Sequence, residues 1–126
     1  MKLKKSKFKA MVLSCIDPRF QHLVYNHLQK KKLIGKYSAF TIAGAAIGVT
    51  HTKFKQWHKT FYDNLGTSIQ LHKIEKLIVI NHKNCGAAKI ANGKKEFTLA
   101  NEKKIHKESF LKIKKQIKKN SSKIES

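Results

Sequence analysis

Three short apolar runs divide this sequence, and the segments between them follow a different period. Residues 8–16 (Phe-Lys-Ala-Met-Val-Leu-Ser-Cys-Ile), 37–43 (Tyr-Ser-Ala-Phe-Thr-Ile-Ala) and 76–81 (Lys-Leu-Ile-Val-Ile-Asn) read as strands. The first and third have the near-continuous apolar character of strands covered on both faces. After the first run, Asp17 suits a helix N-cap and Pro18, the only proline, suits the first helical position. Phe20, Leu23, Val24, His27 and Leu28 then mark one face of a helix. Lys30, Lys31 and Lys32 favour its carboxyl end, and Gly35 ends it. A second helix is expected over about 51–72, with Phe54, Trp57, His58, Phe61, Leu65 and Ile69 on its stripe. A short third helix starts at Cys85, and a last one covers about 100–118 with Ile105, Phe110, Ile113 and Ile117 inward. The small residues Gly44-Ala45-Ala46-Ile47-Gly48 are expected to form a loop that lets backbone approach a ligand.

Strands alternating with helices imply right-handed crossovers and a parallel sheet. The expected fold class is therefore α/β: a three-layer domain with a small parallel sheet, strand order about 2-1-3, flanked by helices. One further strand is allowed. In that order the carboxyl ends of strands 1 and 3 meet at the topological switch point, where open sheets bind ligands.

The length of 126 residues suits one domain, expected over 1–118, with a flexible C-terminal tail at 119–126. Two cysteines provide no disulfide framework, and reduced thiols point to a cytoplasmic protein. The Lys-rich start followed by Ala10–Cys15 is superficially like a lipoprotein signal. Its apolar run is too short for the about 7–15 residues such a signal needs. No run approaches the roughly 18 apolar residues that cross a bilayer, so no membrane role is expected. The net charge of +21 attracts polyanions in general. The lysines are spread along the chain, and base readers usually rely on Arg and exposed aromatics. Nucleic acid is therefore expected to bind only non-specifically, if at all.

Two stretches carry the chemistry. Cys15-Ile16-Asp17-Pro18-Arg19 ends strand 1, and His82-Lys83-Asn84-Cys85-Gly86 ends strand 3. They hold both cysteines of the chain. Of its 28 basic residues, Arg19 is the only arginine. A planar guanidinium two residues from a carboxylate is not interchangeable with lysine. Cys15, His82 and Cys85 offer two thiolates and an imidazole, a donor set suited to catalytic Zn²⁺ with one position that can open. The fourth ligand is either water, whose pKa the metal lowers toward about 7, or Asp17. Arg19 drawing Asp17 away would switch the site from closed to open.

The combination C-x-D-x-R and H-x-x-C, with an Ala-Gly loop between, resembles the β-class carbonic anhydrases over roughly residues 8–90. The resemblance implies Cys15, His82 and Cys85 as zinc ligands and Asp17 with Arg19 as the dyad controlling the fourth position. It implies reversible hydration of carbon dioxide to bicarbonate by zinc-bound hydroxide, with backbone N–H groups near Gly44 or Gly86 steadying the oxyanion. Pro18 stands where that family usually has Ser, and Thr41-Ile42 where it usually has Arg-Asn. A homodimer is expected, since the core is small and a partner subunit often completes the pocket in that family. Two other functions compete: hydrolysis of carbonyl sulfide or carbon disulfide at the same zinc, and a non-catalytic zinc module that binds polyanions. The plainer readings are cysteines as small buried hydrophobes and Asp17 as a helix cap alone. His22, His27, His51, His58, His72 and His106 have no partner at metal spacing and read as surface or helix-packing residues.

Overall fold

The middle of the first apolar run, Ala10–Ser14, forms β1, and all five of its residues are buried. Its neighbours are β2 (Tyr37–Thr41) and β3 (Lys76–Ile80). Both pair with β1 in parallel, in the order β2-β1-β3, with Ser14 opposite Thr41 on one side and Ile80 on the other. A central strand covered on both faces needs no polar alternation, which explains the run of Ala-Met-Val-Leu. The computed structural model describes residues 7–120, and among these the sheet has three strands. The signal-like segment is thus the centre of the sheet, and no helix among the described residues is long and apolar enough to cross a membrane.

Among the described residues five α-helices surround this sheet: α1 (Gln21–Lys30), α2 (Ala46–Thr50), α3 (Lys55–His72), α4 (Gly86–Asn92) and α5 (Leu99–Asn120). The α/β class and the 2-1-3 order expected from the sequence are those observed. The two faces of the sheet are covered unequally. Met11 and Leu13 point into the larger core with Ile47, Phe61, Leu65, Leu77, Ile113 and Ile117. Val12 points the other way, where only Leu28 and Leu33 join it as fully buried partners. Each fully buried side chain of this kind contributes about 1.5–3 kcal/mol. The larger core therefore dominates stability, and α1 closes a thinner second layer.

Local structure departs from expectation in three places. Asp17 does cap, and its side chain accepts from the Arg19 N–H, but it caps a 3-10 turn, Pro18–Phe20, ahead of α1. Gln21 Nε2 donates to the carbonyls of Cys15 and Asp17 at 2.9 and 2.8 Å, which holds the chain in that tight turn. The stretch expected as a small-residue loop contains the helix α2, buried among α3, α4 and α5. Its sequence, Ala-Ile-Gly-Val-Thr, has weak helix propensity, so packing rather than local preference forms it. Third, α5 continues to Asn120, into the expected tail; residues 121–126 lie outside the described residues. Ile113 and Ile117 are buried on α5 as expected, whereas Ile105 and Phe110 are only half-buried. The inward line runs through Glu102, Ser109, Ile113 and Ile117.

Candidate metal centre

The parallel register places Ser14 level with Ile80, so the chain leaves the sheet at Cys15 and at Asn81-His82 side by side. The second stretch then turns at Asn84, whose φ is +54°. Cys85 becomes the N-cap residue of α4. As a result the ligand atoms of Cys15, His82 and Cys85 all lie within 4.8 Å of one another. With metal–sulfur bonds of about 2.3 Å, atoms this close can share one ion. The group can therefore hold a metal ion.

The histidine shows the fit most directly. Its Nδ1 lies 2.6 Å from the Lys83 carbonyl, an oxygen that can only accept, so Nδ1 carries the proton. In the neutral ring this places the lone pair on Nε2, which is buried and has no hydrogen-bond partner. An orphaned buried acceptor costs about 1–3 kcal/mol, and a cation beside it removes that cost. An imidazole oriented through its other nitrogen is also how metal-bound histidines are usually held. Phe20 stacks on the ring with centroids 4.2 Å apart and so fixes its plane.

The two sulfurs are inequivalent. The hydrogen bond from Cys85 holds the Cys15 thiol well below the usual thiol range, and backbone N–H groups of Asp17 and Gly44 add to this against the effect of burial. The Gly44 N–H donates to Cys15 Sγ at 3.3 Å, a fixed donor independent of Cys85. Cys85 is pushed up, first by donating to Cys15 and then by burial. Of the two, Cys15 is therefore the more readily ionised. A divalent cation would favour the second thiolate as well.

Asp17 and Arg19 form a forked pair. Arg19 Nη2 lies 2.7 Å from Asp17 Oδ2, and Nε lies 3.1 and 3.2 Å from Oδ1 and Oδ2. The Arg19 guanidinium holds the Asp17 carboxyl down to about 2. Asp17 Oδ2 stands 3.7 Å from His82 Nε2, so the carboxylate borders the ligand cluster. Arg19 Nη2 also donates to the Asn84 carbonyl at 3.0 Å and thereby ties the first stretch to the second.

A family model described as "Putative carbonic anhydrase" matches residues 4–122. The chain belongs to this family. Among curated proteins it is similar to the uncharacterized protein RC0076 of Rickettsia conorii, 26% identical over 86 residues. An uncharacterized protein of Rickettsia bellii is 27% identical over 79 residues. These matches cover 68% and 63% of this chain but only 46% and 48% of the relatives, so the chain spans less than half of their length. No solved structure matches.

In this member of the family an apolar cavity of about 280 Å³ lies beside the ligand cluster. Phe20, Leu23, Val24 and Ile80 line it, with His82 at one wall. Gly44 sits at the centre, but its amide is engaged by Cys15 Sγ. Gly86 opens α4 and is exposed. Two residues escaped the sequence reading. Glu102 is buried, and its carboxylate accepts from the backbone N–H of Asn84 and Cys85 at 3.1 and 3.0 Å. His106, expected as a surface or packing residue, is instead a largely buried bridge between Glu102 and Asn81. The available signal was an acidic residue continuing the Ile113–Ile117 stripe toward the start of a Lys-rich helix.

Proposed function

We propose that the chain hydrates carbon dioxide reversibly to bicarbonate, with Zn²⁺ held by Cys15 Sγ, His82 Nε2 and Cys85 Sγ. The observation that carries this reading is the buried, unpartnered Nε2 of His82 between two thiols, next to a carboxylate that Arg19 grips. Two sulfur ligands and an imidazole favour zinc over hard cations. When bound, zinc supplies Lewis-acid activation of water at neutral pH.

The chain's own residues orient the reaction. Arg19 keeps Asp17 anionic and aimed at the ligand cluster. An ionised carboxylate can only accept, so the attacking water must turn a hydrogen toward Asp17 and a lone pair toward the carbon. Phe20, Val24 and Ile80 offer an apolar wall suited to an uncharged, linear substrate. A carbon–oxygen bond forms, one carbon–oxygen π pair moves onto oxygen, and the proton leaves to buffer. Gly86, at the start of α4, offers the backbone N–H that we assign to the developing oxyanion, since the Gly44 N–H serves Cys15. Two free cysteines acting as ligands require reducing surroundings, and we read the chain as cytoplasmic on that ground.

Stopped-flow hydration of carbon dioxide with a pH indicator tests this. Protein purified without added metal is expected to carry about one zinc per chain. Asp17→Ala and Arg19→Ala are each expected to keep zinc and lose about 10²-fold or more in kcat/KM. Cys85→Ser is expected to lose the metal. Full zinc occupancy with hydration no faster than buffer would overturn the activity. Carbonyl sulfide supplied to the same sample then tests the alternative chemistry at the same site.

A further inference from the structure

Glu102 is the only charged residue among the buried ones that the structure describes. It lies on α5, outside the two stretches that supply the ligands. Its carboxylate faces the turn between His82 and Cys85. Oε1 accepts the Asn84 N–H, and Oε2 accepts the Cys85 N–H. The opposite side of that turn is gripped too, since the Asn84 carbonyl accepts from Arg19 Nη2. The Asn84 residue is therefore held by an anion at its N–H and a cation at its carbonyl. Its φ of +54° is left-handed, a conformation that Asn tolerates better than most residues, and these two contacts fix the direction of the turn made there.

Behind Glu102 a chain of hydrogen bonds returns to the sheet. The Ala46 N–H donates to Asn81 Oδ1 at 3.1 Å, which leaves Asn81 Nδ2 as a donor to His106 Nδ1 at 2.8 Å. His106 Nε2–H then faces Glu102 Oε2 at 3.3 Å. Each member has one role, and the direction of every bond follows from the Ala46 amide. Such a network fixes the position of Glu102 as well as its charge. Burial raises the Glu102 carboxyl, but the N–H groups of Cys85 and Asn84 and then His106 outweigh it, so the group stays anionic.

We propose that Glu102, braced by His106 and Asn81, is the positioning residue of the metal loop. It sets the turn so that His82 Nε2 and Cys85 Sγ already converge with Cys15 before an ion arrives. This rests on the metal-site reading given above. A preset site binds its ion without first ordering the loop, and losing such a partner typically costs about 10–100-fold in metal affinity.

The test is Glu102→Gln in the full chain. The amide keeps the shape but can accept from only one of the two loop N–H groups. Zn²⁺ affinity by chelator competition is expected to fall about 10–100-fold. The visible spectrum of the Co²⁺ form is expected to shift, and amide exchange at Asn84 and Cys85 in metal-free protein is expected to speed up. A purely structural role would change thermal stability and leave the spectrum alone. Affinity within about twofold of wild type, with an unchanged Co²⁺ spectrum, overturns the proposal. Should Glu102→Gln not fold, His106→Gln takes its place. It leaves both loop bonds intact but removes their brace, and a smaller loss in the same direction is expected; no loss overturns the proposal. If wild-type protein binds neither metal, the metal reading fails, and amide exchange alone still decides whether Glu102 holds the turn.

Discussion

At Gly44 the backbone has a φ of +80°, and its amide is spent on the Cys15 sulfur. A Cβ built there would stand 2.7 Å from the Cβ of Ala87 and 3.2 Å from the Gly48 amide nitrogen. Gly44→Ala therefore meets both a left-handed backbone and a collision with α4. It is expected to destabilise the fold by about 2–4 kcal/mol in urea unfolding and to weaken metal retention. Gly86→Ala meets no atom within 4 Å and sits at the first position of a helix. It is expected to be neutral or stabilising by up to ~1 kcal/mol. Equal losses for the two variants would contradict this account. Both glycines were visible in the sequence, but a reason for keeping Gly44 was not: it is contact with a helix more than forty positions away. Cys15, His82 and Cys85 were legible because side chains at strand ends declare their chemistry by type. Glu102 was not, because its partners on the metal loop are backbone N–H groups, and any residue but proline can supply those.

Among the elements, strands and long helices followed their periodicity, while the short ones followed their surroundings. β1 was legible because a buried strand needs a continuous apolar run; β3 was legible as a strand from a similar run, but it lies at the edge of the described sheet and only Leu77 of its five residues is fully buried. α2 was not, since five residues give no period to read and Gly48 argues against a helix. That glycine is required by contact instead: a Cβ at Gly48 would collide with the Ala43 carbonyl oxygen. α5 was legible as a helix but misjudged in its face, because its inward line begins with polar residues. The corrected face makes a direct prediction. Ile113 is 1% exposed, so Ile113→Ala is expected to cost about 2–4 kcal/mol of stability. Leu111, two residues earlier and 58% exposed, is expected to cost less than about 0.5 kcal/mol when cut to Ala. Chemical denaturation of the two variants measures the difference. A reversal would mean that α5 docks by another face, and Glu102 would then lose its place against the metal loop.

For the whole molecule, the unequal layers leave a choice of partner that salt can decide. The thin side exposes Leu23 at 51%, Tyr25 at 49% and, next to the site, Ile16 at 58%. Leu23 lines the cavity that opens beside His82, and a second copy of the chain seated there would close it to water. Against this stands the charge of +21 on each copy, which opposes self-association through space. Repulsion between solvated charges is screened within about 8 Å at physiological ionic strength, whereas apolar burial is not weakened by salt. Self-association through α1 is therefore expected to strengthen as salt rises. Sedimentation at low and at high salt should show the dimer fraction increasing, and Leu23→Glu should abolish it at both. Binding of a polyanion follows the opposite law, because it releases counterions and falls steeply with added salt. One titration with salt thus separates the two partners by the sign of the response. A chain that stays monomeric at high salt while holding nucleic acid at low salt would place its main interactions on its lysines, and the cavity beside His82 would then have to work open to solvent.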